Sequence, residues 1–179
     1  MECPFLIGER LYLRPLEESD LDRCLQWIND PELLSTLGRR FPMNRARERE
    51  WLEGHYKRET GLALAIALKD GERHIGNCGL HAIDPFNRSA EFGLLIGEKE
   101  AWGKGYGPEA GRLIVGFGFR ELCLHRIGLR VYSHNQRAQR AYAKLGFIKE
   151  GVLRESYYRG GVFHDTIVMS ILQSEWRGT

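Results

Sequence analysis

Three glycines at alternate positions, Gly103, Gly105 and Gly107, form the stretch whose residue types most clearly indicate binding chemistry. They follow an apolar run and precede Pro108, which we expect at the first position of a helix. A strand, a glycine-rich turn and a helix start together make an anion site, because several backbone N–H groups converge and the helix dipole adds positive potential. Since glycine also lets phosphate oxygens approach the backbone without a Cβ in the way, the stretch predicts a phosphate-bearing ligand.

Two common phosphate-binding motifs do not fit this stretch. The dinucleotide pattern G-x-G-x-x-G starting at Gly103 would require glycine where Pro108 stands. The P-loop pattern would require Ser or Thr after Lys104, where Gly105 stands, and glycine in place of Glu98. The residues therefore speak against a dinucleotide or ATP as the ligand.

Length and charge describe an ordinary soluble domain. With 179 residues, 42% of them hydrophobic, the chain is long enough for one domain with a sizeable core, and we predict a single domain over 1–179. The formal net charge of +2 gives no bulk field that would favour nucleic acid or a membrane surface as the main partner.

The cysteines and the N-terminal residues predict a cytoplasmic protein that binds no metal. No two cysteines have a zinc-binding spacing, which indicates free thiols in a reducing compartment; they are Cys3, Cys24, Cys78 and Cys123. The N-terminal segment lacks the basic and apolar regions of a secretory signal, and no apolar run approaches the length of a membrane span.

The N-terminal half predicts one strand and two helices. Residues 10–16 alternate polar and apolar side chains like a half-buried strand, and Ser19 is expected to cap a helix that ends before Pro31. The pattern from 32 to 44 is weak. Residues 44–59 predict a second helix, capped by Asn44 and with an apolar stripe of Trp51, Leu52 and Tyr56.

An arginine cluster surrounds the start of that second helix. Its members are Arg39, Arg40, Arg45, Arg47 and Arg49. Such a cluster is either a solvated face or a contact with an anionic ligand or partner.

The second half predicts mainly strands, with two further helices. A hairpin signal, DGE, separates two strands between 62 and 83, and other strands are expected near 90–97, 126–132, 147–158 and 162–172. Helices are expected from Pro108 to about Leu122 and from the cap Asn135 to the stop at Gly146. The pattern predicts an α+β fold with one mixed, mostly antiparallel sheet of about seven strands flanked by about four helices.

Four segments resemble the GCN5-related N-acetyltransferase (GNAT) family in order and spacing. Residues 102–107 resemble its motif A, Q/R-x-x-G-x-G/A, with Trp102 in the first position. Residues 135–147 resemble its motif B, residues 11–32 its N-terminal strand and helix, and residues 151–172 its closing hairpin. The stretch WGKGY is typical of the RimJ/RimL branch, the ribosomal-protein N-terminal acetyltransferases and their relatives.

This resemblance implies the GNAT fold and acetyl-CoA as cosubstrate. The pyrophosphate is expected on the backbone N–H groups of 103–107, and the pantetheine arm along 94–96, hydrogen-bonded like an added strand. The residues expected to contact the coenzyme are Leu94, Leu95, Ile96, Trp102, Gly103, Lys104, Gly105, Tyr106, Gly107, Asn135 and Tyr142.

The resemblance also assigns catalytic roles. Tyr142 follows Asn135 by seven residues, as in motif B, and is expected to act as general acid toward the CoA sulfur. A phenol, with a pKa of about 10, is protonated at neutral pH and can donate; the alternative is a core tyrosine on an amphipathic helix. Asn135 is expected to cap its helix and to contact the pantetheine, and a backbone N–H near Leu95 to stabilise the oxyanion.

The general base is the least defined role. Its candidates lie near expected strand ends and are Glu91, His81, Glu155, His164 and Asp165. Glu91 is the possible base because it shares a strand face with Gly93 and Leu95, whereas the alternative is a surface or structural carboxylate.

The acceptor is expected to be a primary amine, with a protein N-terminal α-amine favoured. A polyamine would need acidic residues around it, but the arginine cluster between 39 and 49 would repel it. The alternatives are a small-molecule amine (a polyamine, amino sugar or antibiotic) and a non-catalytic acyl-CoA-binding module. The expected assembly is a monomer or a homodimer.

Overall fold

The computed structural model describes residues 3–57 and 60–178. Its strands are β1 Leu6–Ile7, β2 Leu11–Pro15, β3 Leu62–Leu68, β4 His74–Asp84, β5 Ser89–Ile96, β6 Arg126–Tyr132, β7 Ile148–Arg159 and β8 Val162–Leu172. Its α-helices are α1 Leu21–Asn29, α2 Pro31–Leu37, α3 Arg45–Tyr56, α4 Tyr106–Arg120 and α5 Gln136–Lys144. In the described ranges, no helix is long and apolar enough to cross a membrane.

All eight strands form one sheet in the order β1-β2-β3-β4-β5-β6-β8-β7. Every neighbouring pair is antiparallel except β5 and β6, which run parallel because α4 carries the chain from one to the other. The predicted mixed, mostly antiparallel sheet is confirmed, with one strand–helix–strand crossover where the glycine stretch lies.

The sheet separates two apolar clusters. Along β3, Leu64 and Ile66 face the larger cluster, which packs under α4 and α5, while Ala63 and Ala65 face the smaller one, which packs under α1, α2 and α3. This alternation follows from the period of two in a strand. The two faces therefore carry different groups of helices.

Two elements were missed by the sequence prediction, β1 and α2. Strand β1 is only two residues long, too short for a periodic pattern. Helix α2 begins at Pro31, and its cap is Asp30, whose side chain accepts hydrogen bonds from the N–H groups of Glu32 and Leu33. Pro31 was interpreted only as the end of α1, although proline also suits a first helical position.

Two local predictions around the helices need correction, and a third is not tested by the described residues. Ser19 does not cap α1, because residues 18–20 form a 3-10 turn held by reciprocal bonds between Glu17 and Asp20. Trp51 is 37% exposed and lies outside the core, whereas Leu52 is buried as expected. The side chain of Tyr56 and the expected helix end at 58–59 lie outside the described residues.

Candidate active site

A gap opens in the middle of the sheet between β5 and β6. Among the described residues their parallel pairing covers only Ser89–Glu91 on β5, although both strands continue beyond it. The N–H of Arg126 donates to the carbonyl of Arg88, so the main-chain groups of Arg88 face β6. Main-chain groups alternate sides along a strand, so every second residue after Arg88 faces the same way. The N–H and C=O groups of Leu94 and Ile96 therefore face the gap, as expected for a strand-like ligand.

The glycine turn lies at the edge of this gap. Gly103 and Gly105 adopt left-handed φ angles of 74° and 84°, and Gly105 is the N-cap of α4. The N–H groups of Tyr106 and Gly107 at the start of α4 have no intrahelical acceptor, as at any helix N-terminus. A Cβ on Gly103 would stand in open space, so the turn presents bare backbone outward.

Pro108 is the third residue of α4, not the first as expected. Its missing N–H leaves the carbonyl of Lys104 without the usual helical donor. Arg10 Nη1 donates to that carbonyl instead, at 2.9 Å. With proline at this position, the Lys104 carbonyl is held by Arg10, the residue before β2, and not by the helix.

Arg10 and Glu109 fix the start of α4 to the sheet. The Arg10 Nε and main-chain N–H donate to the two oxygens of Glu109 at 2.8 and 2.7 Å. Arg10 also offsets the charge of Glu109, which would otherwise weaken an anion site at a helix N-terminus. No sequence motif pointed to this pair, because its members are 99 residues apart.

Helix α5 forms the opposite wall. Asn135 is confirmed as its cap, since its Oδ1 accepts from the N–H of Ala138 at 3.1 Å. Tyr142 is 8% exposed and its ring meets Phe92 edge-on, with centroids 5.9 Å apart. Burial raises the pKa of Tyr142 to about 12.

These elements enclose a cavity of about 360 Å³ that brings most of the predicted coenzyme residues together. Those lining it are Leu94, Leu95, Ile96, Trp102, Gly103, Gly105, Tyr106, Gly107, Asn135 and Tyr142. Lys104 is exposed and outside the lining; only its carbonyl takes part, through Arg10. Three residues of α2 close the cavity on the other face of the sheet, Leu33, Thr36 and Leu37.

None of the candidates for the general base lines the cavity. Glu91 is exposed, pairs with His81 across β4 and β5, and is outside the cavity lining. It lies four residues before Leu95 on β5, about 13 Å at 3.3 Å per residue, so it does not reach the gap directly. Asp165 accepts from the N–H of Glu155 at 2.8 Å.

His164 belongs to an aromatic group at the end of β6. Its ring lies 4.6 Å from that of His134, and Tyr157 stacks on Tyr132 at 3.8 Å. Ser89 on β5 pairs with Arg126 on β6. Leu95 lies six residues after Ser89, and Tyr132 lies six residues after Arg126, so this group stands level with Leu95 across the gap. His134 was not among the sequence candidates.

Positive side chains that the sequence prediction missed line the cavity from α5. Arg137, Arg140 and Lys144 are at spacings of three and four residues, which places them on one side of the helix, a signal visible in the sequence. The Arg137 guanidinium lies 3.5 Å over the Trp102 ring, and Trp102 Nε1 donates to Ile96 O at 2.7 Å. Trp102, which departs from the motif, therefore positions a cation beside the glycine turn.

Comparison with known proteins identifies this arrangement. Residues 10–148 match the family described as "Acetyltransferase (GNAT) domain". The chain is 30% identical to the "Putative ribosomal N-acetyltransferase YdaF" of Bacillus subtilis strain 168, over 96% of each chain. It is also 30% identical to spermidine N(1)-acetyltransferase of Escherichia coli K12, over 92% of this chain and 87% of the relative.

A solved structure has the same fold. The crystal structure of spermidine N-acetyltransferase from Vibrio cholerae in complex with CoA and spermine superposes with a TM-score of 0.87 at 29% identity. The match covers 93% of this chain and 97% of that one. The relatives differ in acceptor, but all are N-acetyltransferases with one domain type in common. The chain belongs to the GNAT family of acetyl-CoA-dependent N-acetyltransferases.

Proposed function

We propose that the protein acetylates the α-amine of a peptide or protein N-terminus, in the manner of the RimJ/RimL branch. One observation carries this proposal: in the described part of the chain the cavity lining contains four cationic side chains and no carboxylate. The cations are Arg130, Arg137, Arg140 and Lys144. A cavity of this charge suits a coenzyme rich in phosphate and an acceptor that arrives as a neutral amine.

The residues present fit acetyl-CoA. The backbone of Gly103–Gly107 and the start of α4 can bind the pyrophosphate, with Arg137 beside it. The N–H and C=O of Leu94 and the N–H of Ile96 can form hydrogen bonds with the pantetheine amides. The Ile96 carbonyl already accepts a hydrogen bond from Trp102. Bound acetyl-CoA would supply an activated thioester, and the chain would supply the hydrogen-bond donor to the sulfur, the oxyanion donor and the acceptor of the amine proton.

Tyr142 is the proposed hydrogen-bond donor to the departing sulfur. Because burial raises its pKa to about 12, the hydroxyl carries its proton throughout the neutral range. A thiol has a pKa of about 8.5, so complete proton transfer from this phenol to the thiolate is uphill. Tyr142 stabilises the charge that develops on the departing sulfur by donating a hydrogen bond, and the released thiolate equilibrates with solvent protons. A backbone N–H that faces the gap, from Leu94 or Ile96, is the proposed oxyanion donor.

Transfer without a covalent enzyme intermediate is consistent with the cysteines. None of the four lines the cavity. Burial raises the pKa of Cys24 to about 11, which removes thiolate character at neutral pH. We therefore propose a ternary complex in which the amine attacks the thioester directly.

The pKa of the acceptor explains why a weak base suffices. Holding an α-amine with a pKa of about 7.8 neutral at pH 7 costs about 1 kcal/mol, whereas a polyamine nitrogen near 10.4 costs roughly 4.6 kcal/mol. Since Glu91 lies away from the gap, His134 and His164 are the nearest described candidates to receive the amine proton, through water. We propose that these two histidines are sufficient to accept the proton of an α-amine.

A second candidate is a small polyamine acceptor. It is favoured by the similarity to the Vibrio cholerae enzyme, whose structure contains CoA and spermine. Against it stand the cationic lining and the arginine cluster of residues 39–49, which would repel a polycation. A carboxylate-lined acceptor site is not found among the described cavity residues.

Thiol release from acetyl-CoA over a panel of amines decides between these candidates. We expect turnover with short peptides that carry a free N-terminus, none with the same peptides after N-terminal blocking, and little with spermidine. Turnover with spermidine but not with peptides would establish the second candidate. Coenzyme binding with no turnover on any acceptor would indicate a non-catalytic acyl-CoA-binding module.

A further inference from the structure

A second cavity, of about 540 Å³, lies between α3 and the segment 39–43. Its α3 wall consists of Arg47, Glu50, Trp51 and Gly54, at spacings of three, four and seven residues. This is one face of a helix, and it points away from the core, which α3 contacts through the opposite face with Leu52. We call this cavity the arginine pocket.

The charge of the arginine pocket is net positive, although the buried carboxyl of Glu48 lies within electrostatic range of Arg39. Arg39, Arg40 and Arg47 line it together with a single glutamate, Glu50. In the described ranges, Arg39 and Arg47 form no ion pair with a carboxylate, and the side chain of Arg40 donates to the main-chain oxygen of Tyr158 at 3.1 Å.

The other two members of the arginine cluster behave differently. Arg45 pairs with Asp22, and Arg49 Nη2 pairs with Glu18 at 2.6 Å, both across to the α1 region. The sequence left two interpretations of the cluster open, a solvated face or an anion contact. The structure divides the cluster between them, with Arg45 and Arg49 in structural pairs and Arg39, Arg40 and Arg47 around a cavity.

The pocket adjoins the coenzyme cavity through the chain that follows α2. Leu37 lines the coenzyme cavity and Arg39 lines the arginine pocket, so only Gly38 lies between them, and the two Cα atoms are at most about 7 Å apart. Arg159 Nη1 donates to Leu34 O at 2.7 Å and to Arg39 O at 3.2 Å, which fixes this connection to β7. An acceptor with its amine in the gap would extend past this connection.

We propose that the arginine pocket binds the acidic side chains of the residues that follow the acetylated N-terminus. This inference rests on the proposed transfer to a peptide α-amine. The three arginines supply charge for carboxylates, and two half-exposed or exposed aromatic side chains, Phe41 and Trp51, supply apolar contact for the peptide stem. The same charge disfavours a polycation.

The test compares two peptides with the same N-terminal residue, one with Asp and Glu at the following three positions and one with Asn and Gln. We expect the acidic peptide to have a kcat/KM about tenfold higher at low salt, which corresponds to two exposed charge pairs at about threefold each. The preference should decline as salt is added. It should fall toward equality in the double variant Arg39→Gln, Arg47→Gln.

A matched control comes from α3. The double variant Arg45→Gln, Arg49→Gln also removes two positive charges, but outside the pocket, so the peptide preference should persist in this variant. Equal kcat/KM for the two peptides in the wild type, or loss of the preference in the control variant as well, overturns the inference while peptide acetylation stands. Failure to acetylate either peptide, with turnover on small amines, overturns the proposed function itself.

Discussion

Tyr142 is placed in the cavity by two features of α5, its cap at Asn135 and the stripe that turns the ring toward Phe92. The same burial that makes it resemble an ordinary core tyrosine also keeps its hydroxyl protonated. Packing and catalysis therefore do not exclude each other at this position. They differ in which atoms they need, since the ring packs and only the oxygen can donate.

The change Tyr142→Phe separates those two roles. We expect kcat to fall by about 10² or more, the usual contribution of a positioned acid, while the ring packing and the melting temperature stay nearly unchanged. The dissociation constant of CoA should rise by less than about tenfold, the value of one hydrogen bond. Single-turnover kinetics and calorimetry measure these quantities; an unchanged kcat would assign Tyr142 to the core alone.

Glu48 is a second buried ionisable residue whose pKa is shifted by burial. It is 4% exposed on the inner face of α3, and its Oε2 has no hydrogen-bond partner among the described atoms. Burial raises the pKa of Glu48, and the nearby positive charge of Arg39 only partly opposes this. The folded protein therefore binds this proton more tightly than the unfolded chain does.

The sign of the pH effect follows from that raised pKa. The favourable contribution is complete below the unfolded pKa of about 4.3 and is lost as pH rises through the folded pKa. We expect Glu48→Gln to increase the free energy of unfolding at neutral pH by about 1–3 kcal/mol and to have little effect at pH 4. Urea unfolding at both pH values checks this, with the exposed Glu53→Gln on the same helix as control. A destabilised Glu48→Gln at neutral pH would contradict it.

At the scale of elements, the sequence predicted well those with long periodic patterns. The crossover β5–α4–β6, the α5 cap and the closing hairpin were all predicted from local patterns within two residues of their bounds. Helix α2 and the Arg10–Glu109 support were not, since the first is seven residues long and the second joins residues 99 positions apart. Local patterns cannot encode such long-range contacts, and for the same reason they left five candidates for the general base, with Glu91 as the possible one.

The glycine turn is the element whose backbone, and not its side chains, is expected to bind. Gly103 and Gly71 form a matched pair, because both have left-handed φ angles, 74° and 70°, and a Cβ at either would meet nothing within 4 Å. Alanine at either should cost a similar 1–2 kcal/mol of stability. Only Gly103 lines the cavity, so only Gly103→Ala should weaken CoA binding, by about tenfold or more, the loss of one charge-assisted hydrogen bond. Calorimetry with CoA on both variants measures this difference, and equal affinities would remove the turn from the site.

At the scale of the whole molecule, one sheet joins the two sites. Its α4 and α5 face supplies the coenzyme wall, and the helices of the other face, α2 and α3, supply the proposed acceptor side. The gap between β5 and β6 is the passage between the faces. A coenzyme bound in the proposed site would contact both halves of the sheet, so we expect its binding to stabilise the entire fold.

Thermal unfolding with and without CoA tests that coupling. Because the two apolar clusters share the sheet, we expect a single transition that CoA moves as a unit. At a hundred times its dissociation constant CoA adds about 2.7 kcal/mol, a rise in Tm of roughly 5–10 °C for a chain of this size. Calorimetric scans measure the shift, and a series of protein concentrations also checks the expected monomer or homodimer, since a dimer's Tm rises with concentration. Two transitions, of which CoA moves only one, would show that the helices α1–α3 and their cluster unfold independently of the coenzyme wall.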